Sequence, residues 1–294
     1  MQARKFHIIT LGCKVNQYES EALREAWLKA GHQELEGPEG ADLVLINSCA
    51  ITAKAVSDLR AMSRRVRRVA PHCELLVTGC AAQALPDELS ELPVDALVPQ
   101  KEKVGLLRWL GEAEGFEAVD ASGVRFPAHE GYHQHGAESG AGEQGAAADP
   151  SRDGAQQDGP ADELEDFWEY EGPEEVLEES AFPAFSISDY ARTRAVLKIH
   201  DGCSQHCTYC IVPLVRGREK SRQPEAVLEE CRDLVRGGAR ELTLLGQNVN
   251  SYEYGFVPLL YRVAAIPGLK RLRFITPHPK DVPDELIRAY AELE

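Results

Sequence analysis

The stretch "ADLVLINSCA", residues 41–50, runs an aliphatic segment of the kind that fills a strand buried on both faces directly into a thiol, Cys49. Two more segments do the same: "FHIITLGC" (6–13) ends on Cys13 and "CELLVTGC" (73–80) on Cys80. Helical stretches "SEALREAWLKAG" (20–31) and "SDLRAMSRRVRRVA" (57–70) lie between them, with Gly31 and Pro71 as stop signals, and a fourth strand, "DALVP" (95–99), follows. Strand and helix alternating on short connections predict an α/β domain over residues 1–110 with a doubly wound parallel sheet. In such a sheet the carboxyl ends of the strands share one edge, where ligands gather. The three thiols therefore converge on that edge although they are far apart in sequence. Free cysteine is among the most buried residue types, so three separate packing thiols is the competing reading. Their common position at strand ends favours a three-thiolate site.

Outward from this domain the composition changes. Residues 112–180 hold 20 acidic and 2 basic residues, so the net charge of −16 leaves the remainder of the 294-residue chain at +2. Nucleic-acid binding, which the overall charge would argue against, stays open for the folded parts. Residues 111–185 read as an acidic low-complexity linker that cannot offset its ordering entropy and is expected to be largely disordered. Its "DFWEY" (166–170) reads as a solvated aromatic patch rather than a docking motif.

Over residues 186–294 the alternation resumes as three βα units. They are "AVLKIHDG" with "PEAVLEECRDLVRGG", "ELTLLGQN" with "PLLYRVAAI", and "RLRFIT" with "VPDELIRAYAEL". Each helix opens near a proline in its first turn. This is the first half of a parallel barrel, and the expectation is a sequence truncated at its C-terminal end. No apolar run reaches membrane-spanning length, and "MQARKFHIIT" reads as a first strand rather than a signal peptide, so a cytoplasmic protein with no membrane partner is expected.

Eight cysteines in such a chain point to metal ligation or catalysis rather than disulfides. Cys203, Cys207 and Cys210 lie in "HDGCSQHCTYCIVP" (200–213), a C-x3-C-x2-C run directly after a strand. Three thiolates on a four-iron cluster leave one iron open to a small molecule, which favours a cluster. His206 or His200 would instead complete a Cys3His zinc site. Cys73 and Cys231 fit neither set and default to packing thiols.

The run "CSQHCTYC" resembles the signature of radical S-adenosylmethionine enzymes, with Tyr209 at the aromatic place. That resemblance implies a (β/α)6 partial barrel and a [4Fe–4S] cluster on Cys203, Cys207 and Cys210. Its open iron is chelated by S-adenosylmethionine, and electron transfer yields a 5′-deoxyadenosyl radical. Gly246, Gln247 and Asn248 stand where the family commonly touches the nucleotide, although a plain turn fits them nearly as well. "TLGCKVNQYES", "LINSCAITAKA" and "LLVTGCAAQ" resemble the N-terminal domain of the tRNA methylthiotransferases of the MiaB, RimO and MtaB type, and "GCSQHCTYCIVPLVRGREKSR" resembles their radical domain. This implies a second [4Fe–4S] cluster on Cys13, Cys49 and Cys80 that carries or donates sulfur.

The implied product is a methylthio group at carbon 2 of the modified adenosine just 3′ of the anticodon. The partners would be a tRNA anticodon loop, S-adenosylmethionine, a flavodoxin- or ferredoxin-like reductant and a sulfur source. Phosphate contacts are expected from Arg216, Arg218, Lys220 and Arg222, and less so from Arg64, Arg65, Arg67 and Arg68, where a solvated helix face is the plainer reading. "LGCKVNQYES" is most like the MtaB-type branch acting on N6-threonylcarbamoyladenosine, while "RGREKSR", "LGQNVN" and "FITPHP" are more like the N6-isopentenyladenosine branch. The first is preferred on the auxiliary-domain signature, and the ribosomal-protein branch is a third option. A non-catalytic, zinc-bound RNA-binding protein is the alternative of another class.

Overall fold

The computed structural model describes residues 3–109, 118–119, 125–126, 182–188 and 194–293. The N-terminal lobe runs β1 (Lys5–Thr10), α1 (Lys14–Lys29), β2 (Gln33–Glu34), β3 (Leu43–Ser48), α2 (Ala53–Val69), β4 (Glu74–Gly79), α3 (Cys80–Ala84), α4 (Pro86–Ser90), β5 (Ala96–Pro99) and α5 (Leu106–Trp109). Strands β1 to β5 pair in parallel in the order β2-β1-β3-β4-β5. Every residue of β3 is buried, as expected of a central strand with helices on both faces.

Two findings depart from the expectations. First, α1 begins at Lys14, not near Ser20, with Cys13 at its N-cap position. Its buried face, Val15, Tyr18, Glu19, Ala22, Leu23 and Trp27, keeps the i, i+3, i+4, i+7 spacing of an amphipathic helix. Glu19, a charged residue at a core position, interrupts the apolar pattern and hides the helix start. Second, β6 (Ala118–Val119) and β7 (Arg125–Phe126) extend the sheet antiparallel beyond β5, inside the segment expected to carry no strand. The expected disorder of the rest of the linker and the reading of "DFWEY" fall outside the described residues.

The second lobe runs β8 (Arg194–Lys198), β9 (His200–Asp201), α6 (Val212–Arg216), β10 (Lys220–Ser221), α7 (Pro224–Arg236), β11 (Glu241–Leu245), α8 (Phe256–Ala264), β12 (Arg271–Phe274) and α9 (Asp284–Glu292). Its sheet, β12-β11-β8, is parallel throughout, and β9 and β10 form a short antiparallel ribbon above β8. No helix among the described residues is long and apolar enough to cross a membrane.

One hydrophobic cluster spans the two lobes, beside a core that each has of its own. Phe6, Tyr18, Leu23, Trp27 and Leu45 of the first pack in a single buried cluster with Phe185, Ile187, Val196 and Leu245. Residues 182–188 lie along α1: the single Tyr18 hydroxyl proton is within reach of two acceptors, the Phe185 carbonyl at 2.9 Å and Glu230 Oε1 of α7 at 3.0 Å. Phe185, placed at the end of the expected linker, is in fact a core residue, because its ring fills the seam between the lobes.

Candidate metal centres

The first trio is set by register. Thr10 stands opposite Asn47 and Ser48 opposite Gly79, so β1, β3 and β4 deliver Cys13, Cys49 and Cys80 just past their last paired residues. Gly12, at φ +94°, turns the chain from β1 into α1, and a Cβ there would lie 2.4 Å from Cys49 Cβ. Only glycine permits that approach. Asn16 ties the strand ends together, its Nδ2 donating to the carbonyls of Leu11 at 3.0 Å and Ser48 at 2.8 Å, while Asn47 Nδ2 donates back to the Asn16 carbonyl at 3.0 Å. Burial pushes the Cys49 thiol up; the Ile51 amide and Arg216 oppose this, and Cys80 and Cys13 add to it as like charges. Gly12 and Asn16 thus hold the ends of the cysteine-bearing strands together at one edge of the sheet.

The second trio lies in the loop between β9 and α6. Gly202, at φ +76°, leaves no room for a Cβ, which would sit 2.1 Å from the Arg218 carbonyl oxygen. The stem closes through the Cys203 amide, which donates to the Gly217 carbonyl at 3.1 Å. Within the loop the Cys210 amide donates to the Cys207 carbonyl at 2.9 Å, and the Gln205 amide to Cys203 Sγ at 3.4 Å. Burial raises the Cys203 thiol, Gln205 N–H lowers it, and Glu219, Cys210 and Cys207 raise it further.

Each trio has three thiols and no fourth cysteine beside it: Cys231 packs in the core of the second lobe, and Cys73 lies at the opposite end of β4 from Cys80. Three thiols at each site are the donor set that holds three corners of a four-iron cluster and leaves its fourth iron open.

The other expected residues divide. Gln247 Oε1 accepts from the Gly202 amide at 2.9 Å. Asn248 Nδ2 donates to Asp281 at 2.8 Å, and Gly246 packs against His200. These side chains brace the cysteine loop. Tyr209 is 89% exposed. Arg216 is corrected: its side chain is 2% exposed and bonded to Glu19 and Asp201, so no phosphate reaches it. Arg222 is corrected as well, being largely buried against Glu230 at 2.5 Å. Arg218 is exposed and Lys220 half-buried. On α2, Arg67 is engaged by Asp95 and by the carbonyls of Pro71, Cys73 and Pro93, while Arg64, Arg65 and Arg68 face solvent.

Sequence reasoning missed the loop after β12. His278 Nε2 lies 3.6 Å from Cys207 Sγ, and Asp281 accepts from Gln205 Nε2 at 3.3 Å. Asn250 holds this loop, donating to the His278 carbonyl at 2.9 Å and accepting from the His278 amide at 2.8 Å. It also missed Glu19, Lys103 and Lys198, all fully buried. A lysine in the middle of the apolar strand "AVLKIHDG" was the available signal for the last.

Comparison with known proteins agrees with this geometry. A model of the uncharacterized protein family UPF0004 matches residues 5–99, and one of the radical SAM superfamily matches residues 197–294. The tRNA-2-methylthio-N(6)-dimethylallyladenosine synthase of Desulfosudis oleivorans is 36% identical over 299 residues, covering 99% of this chain and 54% of the relative. The synthase of the same name from Nitratidesulfovibrio vulgaris is 34% identical, covering 100% of this chain and 57% of the relative. The chain spans about half the length of these curated relatives. In fold it resembles the radical S-adenosylmethionine methyltransferase TsrM from Kitasatospora setae, solved with cobalamin and a [4Fe-4S] cluster. The TM-score is 0.56 at 15% identity, over 99% of this chain and 59% of that one.

Proposed function

The chain belongs to the radical S-adenosylmethionine tRNA methylthiotransferase family, and from that premise we propose that it is the part of such an enzyme that holds both iron–sulfur sites and the nucleotide. Cys203, Cys207 and Cys210 hold the cluster that engages S-adenosylmethionine. Cys13, Cys49 and Cys80 hold the auxiliary one. When bound, the first cluster would supply an open iron for the amino and carboxylate groups of S-adenosylmethionine and an electron for its sulfonium, chemistry that belongs to the cofactor and that no standard side chain provides.

The protein's own residues position that chemistry. Gly202 and Gln247 close the cysteine loop from below. Asn248, Asn250 and Asp281 hold the His278 loop against the cysteine loop. The exposed Arg218 stands beside the second trio as a phosphate contact for an RNA loop. The substrate is a tRNA adenosine next to the anticodon, in a cytoplasmic setting. Among the candidates, N6-isopentenyladenosine is supported over N6-threonylcarbamoyladenosine by the names of the relatives, which are dimethylallyladenosine synthases. A low-potential protein reductant and a sulfur donor complete the reaction.

The observation that carries this reading is the pair of three-thiol sites, one at the ends of three parallel strands and one in a single loop, in two lobes joined by a shared hydrophobic cluster. The test is nucleoside analysis of tRNA from cells lacking the full-length gene. Loss of the methylthiolated isopentenyladenosine, restored by the intact gene and not by a Cys207→Ala copy, is expected; an unchanged nucleoside profile overturns the reading. Colourless, zinc-containing protein after anaerobic purification would favour the binding protein instead.

A further inference from the structure

A dry ionic cluster fills the space between the two thiol sites, and its charges do not balance. Three cations, Lys103, Lys198 and Arg216, face two carboxylates, Glu19 and Asp201, all of them buried. Lys103 donates to Glu19 at 2.7 Å and to Asn47 at 2.8 Å. Lys198 donates to Glu19 at 2.7 Å and to Asp201 at 2.8 Å. Arg216 donates to Glu19 and Asp201, both at 2.9 Å, and to Asn16 at 3.0 Å. The rings of Phe182 and Phe185 sit over Lys198, each 5.6 Å from its ammonium, and help keep water out. One positive charge is left in excess, and an unbalanced charge in a dry interior is costly unless an anion lies near.

The anion has one obvious place. Cys80 acts electrostatically on both Arg216 and Lys103, and Arg216 acts on Cys49. Asn16 and Asn47, which hold the ends of the cysteine-bearing strands, are bonded directly to Arg216 and Lys103. The strongest charges on Cys203 in the other site are those of Glu219, Cys210 and Cys207, all negative. Three thiolates on a cluster whose core carries two positive charges leave one net negative charge, which matches the excess.

We propose that Lys103, Lys198, Arg216, Glu19 and Asp201 form a fixed counter-charge for the auxiliary site, holding the reduction potential of its cluster above the value it would have without the excess positive charge. Net charge near a cluster is one of the levers that set its potential. The same network fixes the separation of the two sites, because it bonds the stem of one loop to the strand ends of the other. The inference rests on the assignment of a cluster to Cys13, Cys49 and Cys80. The residues named are positioning and electrostatic groups that touch neither cluster.

The test uses the full-length protein with Cys203, Cys207 and Cys210 changed to Ala, so that only the auxiliary cluster titrates. Its midpoint potential is read by electron paramagnetic resonance during a mediated redox titration. Lys103→Met, which removes the excess cation, is expected to shift the midpoint negative, and Glu19→Gln, which adds to the excess, to shift it positive. Lys103→Arg keeps the charge and the parent value. Opposite signs from two substitutions in one network distinguish a charge effect from loosened packing. Lys198→Met gives the same negative shift and replaces Lys103→Met if that variant loses its iron. A parent without iron overturns the cluster assignment together with this inference. A parent with iron whose potential ignores the charge changes, or moves the same way in both, overturns this inference alone.

Discussion

Cys49 and Cys207 have the same chemistry and different neighbours, and this separates their roles. Cys49 is packed against Gly12 beside Cys80, whereas Cys207 lies in an open loop under His278. Cys207→Ala should abolish reductive cleavage of S-adenosylmethionine while Cys49→Ala retains it, with iron falling from about eight to about four per chain in each; product formation followed by chromatography and iron analysis checks both. Equal loss of cleavage would contradict the division of labour. Gly12→Val should cost about 1–3 kcal/mol for the left-handed backbone, and more for the clash with Cys49. Its melting temperature and auxiliary iron content should fall together. Glu19 carries a pH signature. Burial alone would raise its pKa, but Arg216, Lys103 and Lys198 hold it well below the usual carboxylate range. A depressed folded-state value contributes stability above the unfolded pKa of about 4.3 and loses it as pH falls through the folded value. Urea midpoints of the iron-free protein should drop on acidification below about pH 4, and Glu19→Gln should lack that part of the drop.

Helix α1 is the element on which the molecule turns. It starts at Lys14 with Cys13 as its N-cap, carries Asn16 and Glu19 on its first turns, and buries Tyr18, Leu23 and Trp27 into the shared cluster. Trp27 meets Phe6 edge-on with ring centroids 5.1 Å apart, and its indole N–H donates to the Leu106 carbonyl at 2.7 Å. Trp27→Ala should therefore cost about 3–5 kcal/mol. Because the same helix presents Asn16 to the strand ends, the damage should reach the auxiliary site, and the loss of iron should exceed that of a comparable core truncation in α8. The start of this helix was obscured in the sequence by Glu19, whose burial makes sense only when three cations from three other segments surround it. The strands bearing the cysteines needed no such context, since their aliphatic runs and terminal thiols are local patterns.

The lobes read as separate domains in sequence because an acidic segment divides them, yet the structure joins them through one apolar seam and one ionic cluster. Lobes joined in this way should melt together. Scanning calorimetry and far-ultraviolet circular dichroism of the iron-free protein should give a single coincident transition, and two resolved transitions would show the seam to be weak. The shared cluster makes each lobe part of the other's solvent exclusion. That bears on function, because both sites then sit at a fixed separation.

Read alone, the sequence determined the α/β class, the parallel strands and the family that its cysteine motifs resemble, because periodicity, turn residues and motif spacing are written locally. It misassigned Arg216 and Arg222 to the surface, since a basic residue beside a loop motif looks the same whether water or a carboxylate faces it. Only the tertiary structure decided that, by bringing Glu19, Lys103, Lys198, Asp201 and Arg216 from distant segments into one dry space. Where a charge goes on folding depends on which opposite charges are there to meet it, and that information is spread over the whole chain rather than held in any one stretch.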